Sequence, residues 1–227
     1  MASLTFLQGP SGIGKSTILR KVFTPCTASA TGFVVQGLIE NGENIAFRAV
    51  CLEDAYPPPQ ALYHPDLDGV FISRRRWMGF GALEQLMKQV RQKTKYVPSG
   101  RAREEVIKGS AIWPTDVCKK LILLDEIGGI EMSSPVFMDS LEQILSGKIP
   151  CFGVFKSREN LSRASSNLSL SANYDELQEQ HRRLESLICA NGEILTVTEQ
   201  NRNEICSYLQ QRLQTLMLNS GKEENEE

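Results

Sequence analysis

The residues Gly9-Pro10-Ser11-Gly12-Ile13-Gly14-Lys15-Ser16-Thr17 satisfy the pattern G-x-x-x-x-G-K-[ST] in full. Glycines at this spacing let a chain bend back so that successive backbone N–H groups point inward at anionic oxygens. A helix beginning at the lysine adds its positive N-terminal end to the same place. The chemistry expected of the loop is nucleotide binding. Lys15 neutralises the β- and γ-phosphates, and the Ser16 hydroxyl ligates Mg²⁺.

A second group belongs with the first. Leu121-Ile122-Leu123-Leu124-Asp125-Glu126 is an apolar run ending in two carboxylates. A buried strand of that kind delivers its acidic end to the edge where open α/β sheets bind ligands. Asp125 is expected to hold Mg²⁺ through water. Glu126, one residue on, is placed to polarise a water for attack on the γ-phosphate. Lys15 and Glu126 are therefore the catalytic candidates, and Ser16 and Asp125 the metal candidates.

These groups need elements to carry them. Leu4 to Gln8, stopped by Gly9-Pro10, reads as a buried strand, and Lys15 to Phe23 as a helix that ends before Pro25. Gly32 to Ile39 and Asn44 to Leu52 flank Glu40-Asn41-Gly42-Glu43, a hairpin signal. Residues 55–68 hold four prolines and read as loop, whereas Phe80 to Lys95 has helical apolar spacing. Ser133 or Ser134 can cap a helix from Pro135 to about Leu145, and Pro150 to Phe155 is the next strand. The Ser- and Asn-rich stretch 157–173 reads as a mobile loop. A helix from Asp175 to Ala190, a strand from Glu193 to Val197 and a helix from Glu199 to Leu218 follow. The acidic tail 219–227 reads as disordered. Strands alternating with helices call for a mainly parallel sheet with helices on both faces, extended at one edge by the antiparallel hairpin. The expectation is one domain over residues 1–218, with 55–115 as an insertion-like segment.

Composition narrows the partners. The chain has 227 residues, with 25 Lys and Arg against 27 Asp and Glu, a net charge of −2. So weak a field gives no general attraction to DNA or RNA. There is no run of eighteen apolar residues to span a membrane, and the N-terminus lacks the basic start of a signal peptide. Six cysteines without a C-x-x-C pair fit reduced thiols in a cytoplasmic protein.

Asp125-Glu126-Ile127-Gly128-Gly129-Ile130-Glu131-Met132, followed by Ser133-Ser134-Pro135-Val136-Phe137, resembles the D-E-I-G-K-M-E-L-x-S-x-x-F signature of a small nucleoside-triphosphatase family. That family includes the cancer-related nucleoside-triphosphatase and its thermophile relatives. Thr31-Gly32-Phe33 is similar to the T-G-F that opens the family's first hairpin, and Thr198 to Asn203 to its T-x-x-N-R-[DN]. The resemblance runs from residue 3 to about 213. It implies a RecA-like P-loop NTPase fold and slow, Mg²⁺-dependent hydrolysis of ATP or GTP with loose base preference. It also places Asn201 and Arg202 among the nucleotide-binding residues. In such a sheet the strand ending at Lys156 and Ser157 lies between the loop strand and the Asp125 strand, which would make that pair a γ-phosphate sensor.

Two departures bear on rate. Val34 to Leu38 replace the acidic and arginine positions expected after T-G-F, and Gly129 stands where the signature has lysine. A lysine there would offset charge on the γ-phosphate, so Gly129→Lys is expected to raise kcat; otherwise Lys156, an arginine of the 74–76 run or a partner must supply the cation. One alternative is a kinase, with Arg74–Arg76, Arg101, Arg103, Arg182 and Arg183 as lid candidates. Another is a nucleotide-gated module whose segments 55–115 and 157–173 engage a protein. His64 in the proline-rich loop and His181 on a polar helix face read as bystanders.

Overall fold

The computed structural model describes residues 3–52, 55–73, 76–95, 120–167 and 174–220. Its strands are β1 (Leu4–Gln8), β2 (Ala30–Glu40), β3 (Glu43–Cys51), β4 (Gln60–Leu62), β5 (Val70–Ser73), β6 (Arg76–Trp77), β7 (Leu121–Ile127), β8 (Cys151–Phe155) and β9 (Gly192–Thr196). Its α-helices are α1 (Lys15–Phe23), α2 (Gly81–Lys95), α3 (Pro135–Leu145), α4 (Arg158–Asn167), α5 (Tyr174–Asn191) and α6 (Arg202–Ser220).

All nine strands join one sheet in the order β6-β5-β3-β2-β7-β8-β1-β9, with β4 beside β2. From β2 to β9 every neighbour is parallel. Parallel strands bury both faces, which is why β8 and the first four residues of β7 are unbroken apolar runs rather than alternating ones. One face packs Phe6, Phe33 and Phe155 against α2, α3, which contributes Phe137, and α5. The other packs Leu7, Leu123 and Phe152 against Ile18 and Leu19 of α1 and Leu209 of α6. Ser134 caps α3, its Oγ accepting the Phe137 N–H at 3.1 Å, with Pro135 in the first turn where a missing N–H costs nothing.

The hairpin does more than extend an edge. Pairing of β2 with β7 stops at Val34 opposite Asp125, while β2 continues to Glu40 against β3. At about 3.4 Å per residue, the remaining residues carry the hairpin roughly 20 Å past the last β2–β7 pair. The proline-rich segment braces it. Gln36 donates to the Pro58 carbonyl at 2.7 Å, the Gly37 N–H donates to Pro59 O at 3.0 Å, and Arg48 donates to Gln36 Oε1 at 2.7 Å.

Two expectations change. Within 55–68, Gln60–Leu62 is a short parallel strand on β2, because the preceding prolines offer carbonyls where only N–H groups are missing. The segment expected to be insertion-like packs against the rest in its described part: β5 pairs β3, and Leu83, Met87 and Val90 of α2 are buried in the core. The stretch read as a mobile loop holds helix α4. Ser157 Oγ accepts the Asn160 N–H at 3.3 Å at its start, and Leu161 and Ser165, four residues apart, are both buried. A window of serines hides that apolar anchor. Helix α6 runs to Ser220, and residues 221–227, 168–173 and 96–119 lie outside the described residues.

Candidate functional site

The site forms where β1, β7 and β8 end together. The turn after β1 carries positive φ at Gly9, Gly12 and Gly14 (144°, 79° and 103°). Gly14, at φ 103° and ψ 15°, immediately precedes α1, and L side chains resist that geometry. Lys15 is buried, and its ammonium donates to Gly9 O at 2.9 Å and Pro10 O at 2.7 Å, lacing the loop. Asn160 of α4 adds a bond to Gly9 O at 3.2 Å.

Across the site, Ser16 Oγ donates to Asp125 Oδ1 at 3.0 Å, joining two residues 109 apart in the chain. The β7–β8 register slips between Asp125 and Ile127, leaving Glu126 as the extra residue of a bulge. Asp125 is thereby buried beside Ser16, while Glu126 is partly open to the cavity. Glu126 Oε1 accepts from Lys156 Nζ at 2.7 Å. Glu131 is buried behind them and accepts the Gly129 N–H at 2.7 Å.

A cavity of about 550 Å³ unites these groups. Its floor is Ser11, Gly12, Gly14 to Thr17, Glu126 and Lys156, and Asn160, Arg163 and Ala164 of α4 form one side. The other side is apolar: Val35, Phe47, Phe71, Ile72 and Ile130. Nothing in the sequence separates these wall residues from core, because strand periodicity marks a buried face without saying where the sheet beneath it stops.

The electrostatics follow from burial. Burial first, then the neighbouring Glu126 charge, push Asp125 up to about 7, against the Ser16 hydroxyl and the Lys15 charge. Burial raises Glu131 in spite of Lys156 and the Gly129 N–H. Burial also lowers Lys15, opposed by Glu126 and Asp125. For Lys156, burial would lower the ammonium, but the Glu126 and Glu131 carboxylates outweigh it and the net direction is up.

Asp125 gives the first expected result. Its folded-state pKa of about 7 exceeds the ordinary 3.8, so the carboxyl costs the fold nothing below that lower value and progressively more as pH rises through the higher one. In buffer with EDTA, Asp125→Asn should raise the free energy of unfolding at pH 8 by on the order of 1–3 kcal/mol, with the gain vanishing near pH 4. A gain independent of pH would mean that the buried carboxyl is not what the substitution relieves.

The second concerns Gly129. A Cβ there would stand 2.6 Å from Glu131 Oε2 and 3.1 Å from Lys156 Nζ. The cation absent at 129 is replaced by one reaching in from β8. Gly129→Lys would crowd the carboxylate and set two ammonium groups together, so the expectation reverses. Steady-state phosphate release should fall by about 10-fold or more; a rise would show that the site tolerates both cations.

Other sequence candidates sort out. Arg202 lies beside the loop, its Cδ 3.8 Å from where a Gly14 Cβ would be. Asn201 does not face the site with free groups. Its Oδ1 accepts the Thr198 N–H at 2.8 Å and its Nδ2 donates to Thr196 O at 2.9 Å, so it braces the turn into α6. Arg182 and Arg183 pair with Glu179 and Glu142 on an outer face, not over the cavity. Arg74, Arg75, Arg101 and Arg103 lie outside the described residues. His181 is not on a polar surface: it is buried against Phe155, at 4.4 Å between centroids.

The donor set suits Mg²⁺. One hydroxyl and one carboxylate beside an anion-binding loop match a hard cation that keeps waters and takes few protein ligands. Among the described residues no cluster of three His, Cys, Asp or Glu offers a metal site made by protein alone.

Fold and site together define a P-loop NTPase domain of RecA-like strand order. The sequence model of the NTPase family matches residues 4–61 and 83–209, and the chain belongs to that family. It is similar to the mouse (Mus musculus) cancer-related nucleoside-triphosphatase homolog, 27% identical over 151 residues, which are 64% of this chain and 70% of that protein. The solution structure of a human cancer-related nucleoside triphosphatase aligns over 94% of this chain and 98% of its own. Its TM-score is 0.55 at 20% identity, a likeness of fold. THEP1 from the hyperthermophile Aquifex aeolicus aligns over 92% of this chain and 96% of its own, at 17% identity and TM-score 0.48. No described helix is long and apolar enough to cross a membrane.

Proposed function

We propose that the protein binds a nucleoside triphosphate with Mg²⁺ and hydrolyses it slowly to the diphosphate and phosphate, with loose base preference. The observation that carries this is the Ser16–Asp125 hydrogen bond at 3.0 Å, with Glu126 next in sequence opening into the cavity that Lys15 lines. Backbone N–H groups of the loop and the α1 N-terminus take the β-phosphate oxygens, and Arg202 flanks the loop. Glu126 accepts a proton from water as its oxygen bonds to the γ-phosphorus and the bond to the β-phosphate oxygen breaks. Lys15 offsets the charge that gathers on the leaving diphosphate. Ser16 and Asp125 would hold Mg²⁺, which would supply further neutralisation of phosphate charge. A cytoplasmic protein acting on a free nucleotide, with neither nucleic acid nor membrane as partner, fits the weak net charge of −2.

A kinase is the second reading, favoured by the apolar wall. Val35, Phe47, Phe71 and Ile72 face a loop that binds only charged groups, and Phe47 is 38% exposed. A small acceptor with a flat apolar body could rest there with a hydroxyl toward Glu126. Single-turnover thin-layer analysis of γ-labelled ATP, with a panel of nucleosides as acceptors, separates the readings. Free phosphate supports hydrolysis and a new labelled compound supports the kinase. Unchanged ATP would overturn both and leave a nucleotide-gated interaction module.

A further inference from the structure

Lys156 directly follows β8, its main chain pinned on both sides. Its N–H donates to Ile127 O at 2.9 Å, and its carbonyl accepts from His181 Nε2 at 2.7 Å. Its side chain, 20% exposed, lines the cavity, and a lysine stem carries its charge on four rotatable carbons. In the structure that ammonium lies on Glu126 Oε1 at 2.7 Å. One of the two oxygens of that carboxylate is thus engaged by a cation rather than by water. The space the ammonium uses exists because residue 129 has no side chain; even a methyl would stand 3.1 Å from Nζ.

We propose that Lys156 couples triphosphate recognition to the base: its ammonium partitions between Glu126 and the γ-phosphate, and moving to the phosphate releases Glu126 to take a proton from water. A terminal phosphate carries about −1.5 to −2 charge against −1 for a carboxylate, so the phosphate wins the ammonium when it arrives. A diphosphate brings no γ-phosphate and leaves the ion pair in place. The protein would thus discriminate ATP from ADP through β8, at a residue outside the phosphate loop and the Asp125-Glu126 pair. Gly129 belongs to the same device as the residue that makes room for it. This rests on the hydrolase reading of the site, but its first readout is binding.

The test is calorimetric titration of AMP-PNP and of ADP, each with Mg²⁺, into the full chain and into Lys156→Met, Lys156→Arg and Gly129→Ala. Lys156→Met should lose about 10-fold or more of the preference for AMP-PNP over ADP, with ADP affinity unchanged and kcat lowered. Lys156→Arg should keep most of the preference, since it keeps the charge. Gly129→Ala should erode it by crowding the ammonium, even though no charge is removed, and it stands in if Lys156→Met does not fold. A structural ion pair alone would lower Tm and leave the affinity ratio where it was, and that result overturns the proposal. An unchanged ratio with phosphate release intact sinks the coupling alone. A shifted ratio in a chain that never releases phosphate sinks the hydrolase reading alone.

Discussion

Glu126→Gln should bind ATP with Mg²⁺ at least as tightly as the unmodified chain and turn it over about 10²–10⁴-fold more slowly. The amide has the carboxylate's shape and occupies the same bulge, so the neighbouring Ser16–Asp125 bond is undisturbed. What it loses is the capacity to take a proton. It also loses the charge that holds Lys156 at 2.7 Å, which leaves the ammonium to the γ-phosphate and predicts equal or tighter binding. Equilibrium binding of AMP-PNP beside single-turnover phosphate release separates the two effects. Hydrolysis at the normal rate would hand the base role to Glu131, which is buried and already accepts the Gly129 N–H. In the kinase reading the same substitution should cut phosphoryl transfer, so the variant tests the residue and the labelled-ATP experiment tests the reaction.

Lys15→Ala is expected to abolish triphosphate binding while keeping the fold. A saturating ligand at 100 times its Kd adds about 2.7 kcal/mol, a shift easily read in a thermal melt, and the variant should show none. Among the described residues, three cations, Lys15, Lys156 and Arg163, line the cavity, and of these Lys15 reaches the loop carbonyls of Gly9 and Pro10. Removing it also unlaces the loop, because those carbonyls lose a charged donor. Pro10 is exposed, Asn160 still donates to the buried Gly9 carbonyl and the sheet beneath is untouched, so the cost to Tm should be small. A folded variant that keeps normal ATP affinity would remove the basis for placing the phosphates here.

The phosphate loop, the acidic strand end and the alternation of strands and helices were all legible along the chain, because each depends on short-range geometry. Glycines that accept positive φ, a lysine at a set offset and an apolar run long enough for one strand can be read from neighbours alone. The Ser134 cap was legible for the same reason, and so was the family, whose signature lies within Asp125 to Phe137. Helix α4 was not. Its anchors, Leu161 and Ser165, count as apolar or buried only once α5 and the 3-10 turn at Ile130–Ser133 are packed beside it. Asn201 reads as a ligand in sequence and proves to be a brace, because its partners sit at the end of β9. Gly129 reads as a missing cation, yet Lys156, adjacent only across the β7–β8 register, already fills that space. The apolar wall exists because β2 outruns β7, a matter of relative strand length that no single strand records. Local geometry is written residue by residue, but which charges meet depends on strand order and register, and those emerge only when the sheet has closed.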